Sequence, residues 1–180
     1  MEARKLMNRF VTSDLHLNHP KAVSWRPEFS SVEEMNEVII ERYNAVVSPN
    51  DEVFLLGDIV MGSAAEAAGL VARLNGIKHL IRGNHDTDAK IKSYIENNSF
   101  ESILWASTVK WSKSRNFYLS HYPVLVENHT ENPTWVLHGH THAEGPFTAA
   151  PQNVHIGIET FPQPISLEEV STLILEYKTI

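Results

Sequence analysis

Apolar and polar positions alternate with two different rhythms along this chain, and the change falls near its middle. In the first half, apolar runs of strand length at Phe10-Val11, Val53-Phe-Leu-Leu56 and Leu80-Ile81 alternate with stretches of helical period. Ser31-Val-Glu-Glu34 forms a capping-box signature, and behind it Val32, Met35, Val38, Ile39, Tyr43 and Val46 fall on one helical face. Pro49-Asn-Asp51 turns the chain into the next strand. Ser63-Ala-Ala-Glu66 starts a second helix with Ala67, Leu70, Val71 and Leu74 inward and Gly76 as its stop. Thr87 or Asp88 caps a third, which carries Ile91, Tyr94 and Ile95 on its inner face. This βαβαβα order predicts a layered sheet with right-handed crossovers.

The second half reads as strands over residues 103–111, 116–120, 134–137, 153–158 and 171–177, with one short helical turn started by Ser166-Leu-Glu-Glu169. Strands following strands predict a second sheet packed on the first. The expected fold is therefore a four-layer α/β sandwich, two mixed β-sheets flanked by helices. No repeat, low-complexity tract or linker divides the sequence, so one domain over residues 1–180 is expected.

Composition narrows the function. Hydrophobic residues make up 42% and charged residues 21%, as in an ordinary soluble protein. No apolar run approaches a membrane span, residues 1–7 lack the apolar core of a signal peptide, and a cytoplasmic location is expected. With no cysteine there is neither a disulfide framework nor a thiolate metal site. A net charge of −7 argues against long nucleic acids held by counterion release, and leaves room for a small phosphorylated substrate such as a nucleotide. The ten histidines stand out, because neutral imidazole is a common ligand for zinc-like cations.

The chemistry sits where strands stop. Five predicted strands end in Asp14-Leu-His16, Asp58, Asn84-His85-Asp86, His121 and His140-Thr-His142. In an open α/β sheet, ligands gather beyond the carboxyl ends of the strands. Asp14 and His16, like His140 and His142, are two apart and would share a side of extended backbone. Gly57, Gly83 and Gly139 each precede a candidate ligand, where a missing side chain permits a sharp turn and close approach. The two carboxylate oxygens of Asp58 can bridge two cations, and the amide of Asn84 adds a ligand without adding charge. Two ions about 3.5–4 Å apart can clamp a phosphoryl group and stabilise both oxygens of an in-line displacement.

The order Asp-x-His, Gly-Asp, Gly-Asn-His-Asp, His, Gly-His-x-His strongly resembles the calcineurin-like metallophosphoesterases, from Asp14 to His142. The continuation through Asn153-Val154 and Pro164-Ile-Ser-Leu-Glu-Glu169 resembles their small bacterial and phage members. The resemblance implies that Asp14, His16 and His142 hold one metal, that Asn84, His121 and His140 hold a second, and that Asp58 bridges. The cofactors would be two divalent ions, Mn2+ first, with Fe, Zn, Ni and Co also suited to the ligands. The nucleophile would be a hydroxide shared by the two ions. His85, outside the metal shell, would bind the phosphate and protonate the leaving oxygen. The chain departs from the protein-phosphatase and dinucleoside-tetraphosphate hydrolase branches. Those follow Gly-Asp with an Asp and an Arg that orient the catalytic histidine and grip phosphate, whereas this sequence runs Gly57-Asp58-Ile59-Val60-Met61-Gly62. A phosphodiester, with one negative charge, needs fewer cationic clamps than a dianionic monoester, so a phosphodiesterase is expected. The alternatives are a phosphomonoesterase acting on a small nucleotide or sugar phosphate and a non-catalytic metal-binding scaffold.

Other residues carry competing readings. Asn84 and His85 are candidate substrate contacts. His19 either reaches substrate from the first loop or faces water, and Arg82 contacts phosphate or pairs with a surface carboxylate. Asp86 supports a neighbouring ligand or caps the next helix, and the cap is the expected role. His79, His129 and His155 have no ligand spacing, and His138 reads as a hydrogen-bonded core histidine. Of the tryptophans at 25, 105, 111 and 135, Trp25 is the one placed to overhang the site.

Overall fold

Two sheets face each other in the computed structural model, which describes residues 7–112, 115–127, 133–147 and 150–177. β1 (Arg9–Thr12), β2 (Glu52–Leu55), β3 (Ile77–Ile81) and β4 (Ser102–Leu104) are parallel neighbours in the first sheet. The second holds β5 (Ala106–Ser112), β6 (Arg115–Ser120), β7 (Trp135–His138) and β8 (Asn153–His155), in that order. A short β9 (Ile165–Ser166) returns to the first sheet and runs antiparallel to β1. β5 is antiparallel to β6, while β6, β7 and β8 are mutually parallel. Both sheets are thus mixed, as expected, and the helices flank them: α1 (Ala22–Trp25), α2 (Val32–Val46), α3 (Ala64–Val71), α4 (Asp88–Glu96) and α5 (Leu167–Tyr177).

The apolar strands of the first sheet are continuous runs because both faces are covered. Val53, Leu55 and Leu80 join one buried cluster with Met35, Ile39 and Tyr43 of α2 and Ala67 and Val71 of α3. Val11, Phe54, Leu56 and Ile81 join another, with Phe117, Leu119 and Leu137 of the opposing sheet and Val170 and Ile174 of α5. Among the described residues, no helix is long and apolar enough to cross a membrane.

Several sequence expectations need correction. Residues 171–177 are helical, because Ser166 and Glu169 cap α5 reciprocally and Leu167, Val170 and Ile174 recur at helical spacing on its buried side. The strand expected over 103–111 is two strands in different sheets, with the chain crossing between them at the exposed Trp105. In α4 the exposed Ile95 points outward and Lys90 takes an inner position with Tyr94. Gly76 does not end α3, which stops at Val71; its φ of 94° makes the turn into β3. Ser63 and Glu66 do form the expected capping box. His129 lies outside the described residues.

Candidate metal centre

The carboxyl ends of β1, β2, β3, β6 and β7 meet at one rim, and the short loops beyond them carry the candidate ligands. The local backbone is not extended there. Asp14, His16, Asp58, His140 and His142 have φ values of 57°, 47°, 56°, 67° and 48°. Left-handed backbone costs a non-glycine residue on the order of 1–3 kcal/mol and persists only where surroundings enforce it. Asp14 meets His16 at 3.8 Å through these turns and not through a strand period, whereas His140 and His142 part company, His142 going to His16 and His140 to His121.

Hydrogen bonds between loops enforce the conformation. Asp14 N and His16 N donate to Gly57 O and Asp58 O at 3.1 Å each. His140 N donates across to Asp14 Oδ2 at 3.0 Å, joining the second sheet's rim to the first. Gly57 has a φ of 88°, and a Cβ there would sit 2.6 Å from Gly83 N. Gly83 and Gly139 have a different reason to be glycine, since a Cβ would strike the carboxylates of Asp58 and Asp14 respectively.

Ligand atoms converge in two sets. Asp14, His16 and His142 bring theirs within 4.8 Å of one another, and so do Asp14, Asp58 and His121. Asp58 Oδ2 lies 3.9 Å from His16 Nε2 and 3.5 Å from His121 Nε2, between a histidine of each set. Asp14 Oδ1 and both ring nitrogens of His16 are buried without a hydrogen-bond partner among the described residues. His121 Nδ1 faces the Leu56 carbonyl at 2.7 Å and donates to it, which turns Nε2 to the site. Nε2 faces Asn84 Oδ1 at 3.1 Å and the Asp58 carboxylate at 3.5 Å. With the imidazole neutral, three acceptors would point at one another and fit a cation between them. His140 lies at the exposed edge of the group, its ring 5.1 Å from that of His121.

Electrostatics agree. Burial, with the neighbouring His142 and Arg26, pushes His16 down to about 2, which keeps it in the neutral form a metal requires. Burial pushes Asp14 up to about 6 against the Ser13 hydrogen bond and the nearby His121 and His142, a cost that a bound cation would offset.

This arrangement can be set against known proteins. The calcineurin-like phosphoesterase family model matches residues 7–140. The chain belongs to that family. Uncharacterized protein MJ1445 of Methanocaldococcus jannaschii is 33% identical over 100% of this chain and 97% of its own length. Gene 66 protein of Mycobacterium phage L5 is 27% identical over 94% of this chain and 95% of that protein. The solved structure of AQ665 from Aquifex aeolicus, a protein of unknown function, shares the fold with a TM-score of 0.69, at 24% identity, over 93% of this chain and 99% of that one.

Around the ligand set, this calcineurin-like phosphoesterase has a supporting layer that sequence reasoning missed. Arg26 is 3% exposed and donates to Asp14 O at 2.8 Å, Leu15 O at 2.9 Å and Glu159 Oε1 at 2.7 Å. Glu159 Oε1 also takes the Nδ1 hydrogen of His142 at 3.0 Å, which leaves His142 Nε2 free to face the site. Burial raises Glu159, but the His142 hydrogen bond and the Arg26 charge outweigh it and hold the carboxyl at about 2. The same bond raises His142. Nothing in a single sequence marks a buried Arg26 or Glu159.

Under the other set, Asp86 is buried and its Oδ2 accepts from Asp58 N at 3.0 Å and Gly83 N at 2.9 Å. The expected cap is absent: Thr87 occupies the N-cap of α4 and Asp86 holds the ligand loop. Lys90, also buried, donates to Val60 O at 2.6 Å and His85 O at 2.9 Å. Its signal was legible, since Lys90 precedes Tyr94 by one helical turn on the inner face.

His85 is pinned at its N–H by Asp58 Oδ1 at 2.8 Å, with its side chain 41% exposed beside His16. His19 comes near the group, its ring 5.4 Å from His16 and 6.5 Å from His85. Arg82 takes the carboxylate pairing, 2.7 Å from Asp88, with its guanidinium over Trp105. His138 is buried and bonded to Gly139 O, His155 is buried against Thr160, and His79 stacks on Phe54.

Proposed function

We propose that the chain is a phosphodiesterase that works with two divalent cations held around Asp14. The observation that carries this reading is a shared carboxylate: Asp14 belongs to both converging sets of ligand atoms. One buried side chain is then common to two adjacent cation positions. His16 and His142 would complete one position, Asp58 and His121 would define the other, and Asn84 and His140 would extend it toward solvent. Asp58 stands between histidines of the two sets and would help hold both cations. The donor set of imidazole, carboxylate and amide suits Mn2+ first, and Fe, Zn, Co or Ni as well. When bound, such cations activate water as the nucleophile and neutralise charge on the phosphoryl group.

His85 is the proposed general acid. Its backbone is held at both ends, by Asp58 Oδ1 and by Lys90, while its half-exposed ring stands 5.6 Å from His16. A ring so placed reaches the leaving oxygen of an ester bound at the rim and delivers its proton there, a contribution of about 10²–10⁴-fold. A diester is favoured because the cationic side chains of the frame are committed elsewhere. Arg26 is spent on two carbonyls and Glu159, Lys90 on two carbonyls, and Arg82 on Asp88. A dianionic monoester would lack their help.

The test is hydrolysis of bis-p-nitrophenyl phosphate by chelator-stripped protein with Mn2+, Fe2+, Co2+, Ni2+ or Zn2+ restored singly. Turnover restored by metal and lost in folded Asp58→Asn supports the reading. A p-nitrophenyl monoester hydrolysed faster than the diester replaces it with a monoesterase.

A further inference from the structure

Two half-exposed aromatic rings stand on opposite flanks of the ligand cluster. Trp25, 45% exposed, lies with ring centroids 6.5 Å from His16, 5.2 Å from His19 and 6.3 Å from His142, on the side of the first ligand set. Tyr122, 43% exposed, lies 4.9 Å from His121 and 4.6 Å from His140, on the side of the second. Both stand at steep angles to those histidines, between 65° and 90°. Large rings left half in water at a polar rim are unused apolar surface.

Their backbones are fixed although the rings are not buried. Trp25 ends α1, whose Ala22 is buried, and is followed by the anchored Arg26, whose N–H donates to Ala22 O at 3.0 Å. Tyr122 follows the buried His121, and its carbonyl accepts from Ser120 Oγ at 2.6 Å. Rings held this way lose little freedom when a ligand covers them, which favours binding.

We infer that Trp25 and Tyr122 form a pair of aromatic jaws that select a phosphodiester bearing planar rings, with a small nucleoside phosphodiester as the biological class. The inference rests on the phosphodiesterase reading. A diester places one ester group on each side of the phosphorus, and the jaws lie one on each side of the site. Every nucleobase has a face to stack, so the jaws need no particular base. The net charge of −7 disfavours a long polyanion in their place.

The experiment compares thymidine 5′-p-nitrophenyl phosphate with methyl p-nitrophenyl phosphate. Both carry one negative charge and release the same leaving group. Wild type should prefer the nucleoside ester in kcat/KM. That preference should fall by roughly tenfold in Trp25→Ala/Tyr122→Ala, the scale of losing a stacking partner, and return in Trp25→Phe/Tyr122→Phe. A preference unchanged in the alanine variant, or absent from wild type, overturns the jaws while leaving phosphodiesterase activity standing. If neither ester is hydrolysed, the phosphodiesterase reading fails, and calorimetric binding of adenosine 5′-monophosphate to Mn2+-loaded protein decides the jaws alone. Binding weakened roughly tenfold in the alanine variant supports them, and binding that is absent or unaffected overturns them.

Discussion

Arg26 Nη2 and Glu159 Oε1 are 2.7 Å apart although 133 positions separate them, and the pair ties the loop of Asp14 to the ring of His142. Both partners are largely buried, so removing one leaves an uncompensated charge. Arg26→Met should lower stability by about 3–5 kcal/mol, read from denaturant midpoints. Glu159→Ala should weaken metal binding by about 10–100-fold, because His142 loses the partner that fixes its tautomer. Calorimetric titration with Mn2+ checks this; an affinity within twofold of wild type would remove Glu159 from the supporting layer.

Glycine separates site geometry from general stability. Gly139→Ala drives a Cβ into Ser13 and the Asp14 carboxylate, and Gly83→Ala does the same to Asp58. Each should reduce bound metal, measured by elemental analysis, in protein whose circular dichroism is native. Gly69 lies within α3 with nothing within 4 Å of a built Cβ. Gly69→Ala should therefore stabilise by about 0.4–1 kcal/mol and leave metal content unchanged.

The sequence carried the gathering of Asp14, His16, Asp58, His121 and His142 at one rim because the signal is local: a strand period, a stop, and an Asp or His at the stop. It carried the two-sheet architecture because strands crowd the second half. It did not carry how Asp14 meets His16, because left-handed backbone in a non-glycine residue leaves no pattern in composition. Residues 171–177 misled because the capping pair at Ser166 and Glu169 decides for helix over the apolar content that follows. The supporting layer was hardest to read, since Arg26 and Glu159 meet only once both sheets are assembled.

Asp86 offers a direct contrast between support and capping. Asp86→Ala leaves the buried N–H groups of Asp58 and Gly83 without an acceptor, at about 1–3 kcal/mol each. It should lower both melting temperature and metal affinity. Asp86→Asn keeps an oxygen and should cost less. Thr87→Ala should change little, since the Thr87 side chain makes no cap hydrogen bond. If Thr87→Ala proved as damaging as Asp86→Ala, the helix terminus and not the ligand loop would be the sensitive element.

Asp14 should reverse sign between the metal-free and metal-loaded protein. Its folded pKa of about 6 exceeds the ordinary 3.8, so its neutral form stabilises the fold below pH 3.8 and that contribution is lost as pH rises through about 6. At pH 7 the metal-free protein holds a buried carboxylate with Oδ1 unpartnered. Asp14→Asn removes that charge and should raise the melting temperature of chelator-treated protein. The same change puts a neutral amide in place of the carboxylate at both cation positions, so added Mn2+ should stabilise far less. Wild type should gain about 2.7 kcal/mol for each cation position with Mn2+ at a hundred times that position's dissociation constant. His142→Ala, which belongs to one set only, should keep part of that gain and bind close to one ion per chain. Melting curves with and without Mn2+, paired with metal content by mass spectrometry, read all of these. An Asp14→Asn protein that still binds two ions would end the shared-carboxylate reading.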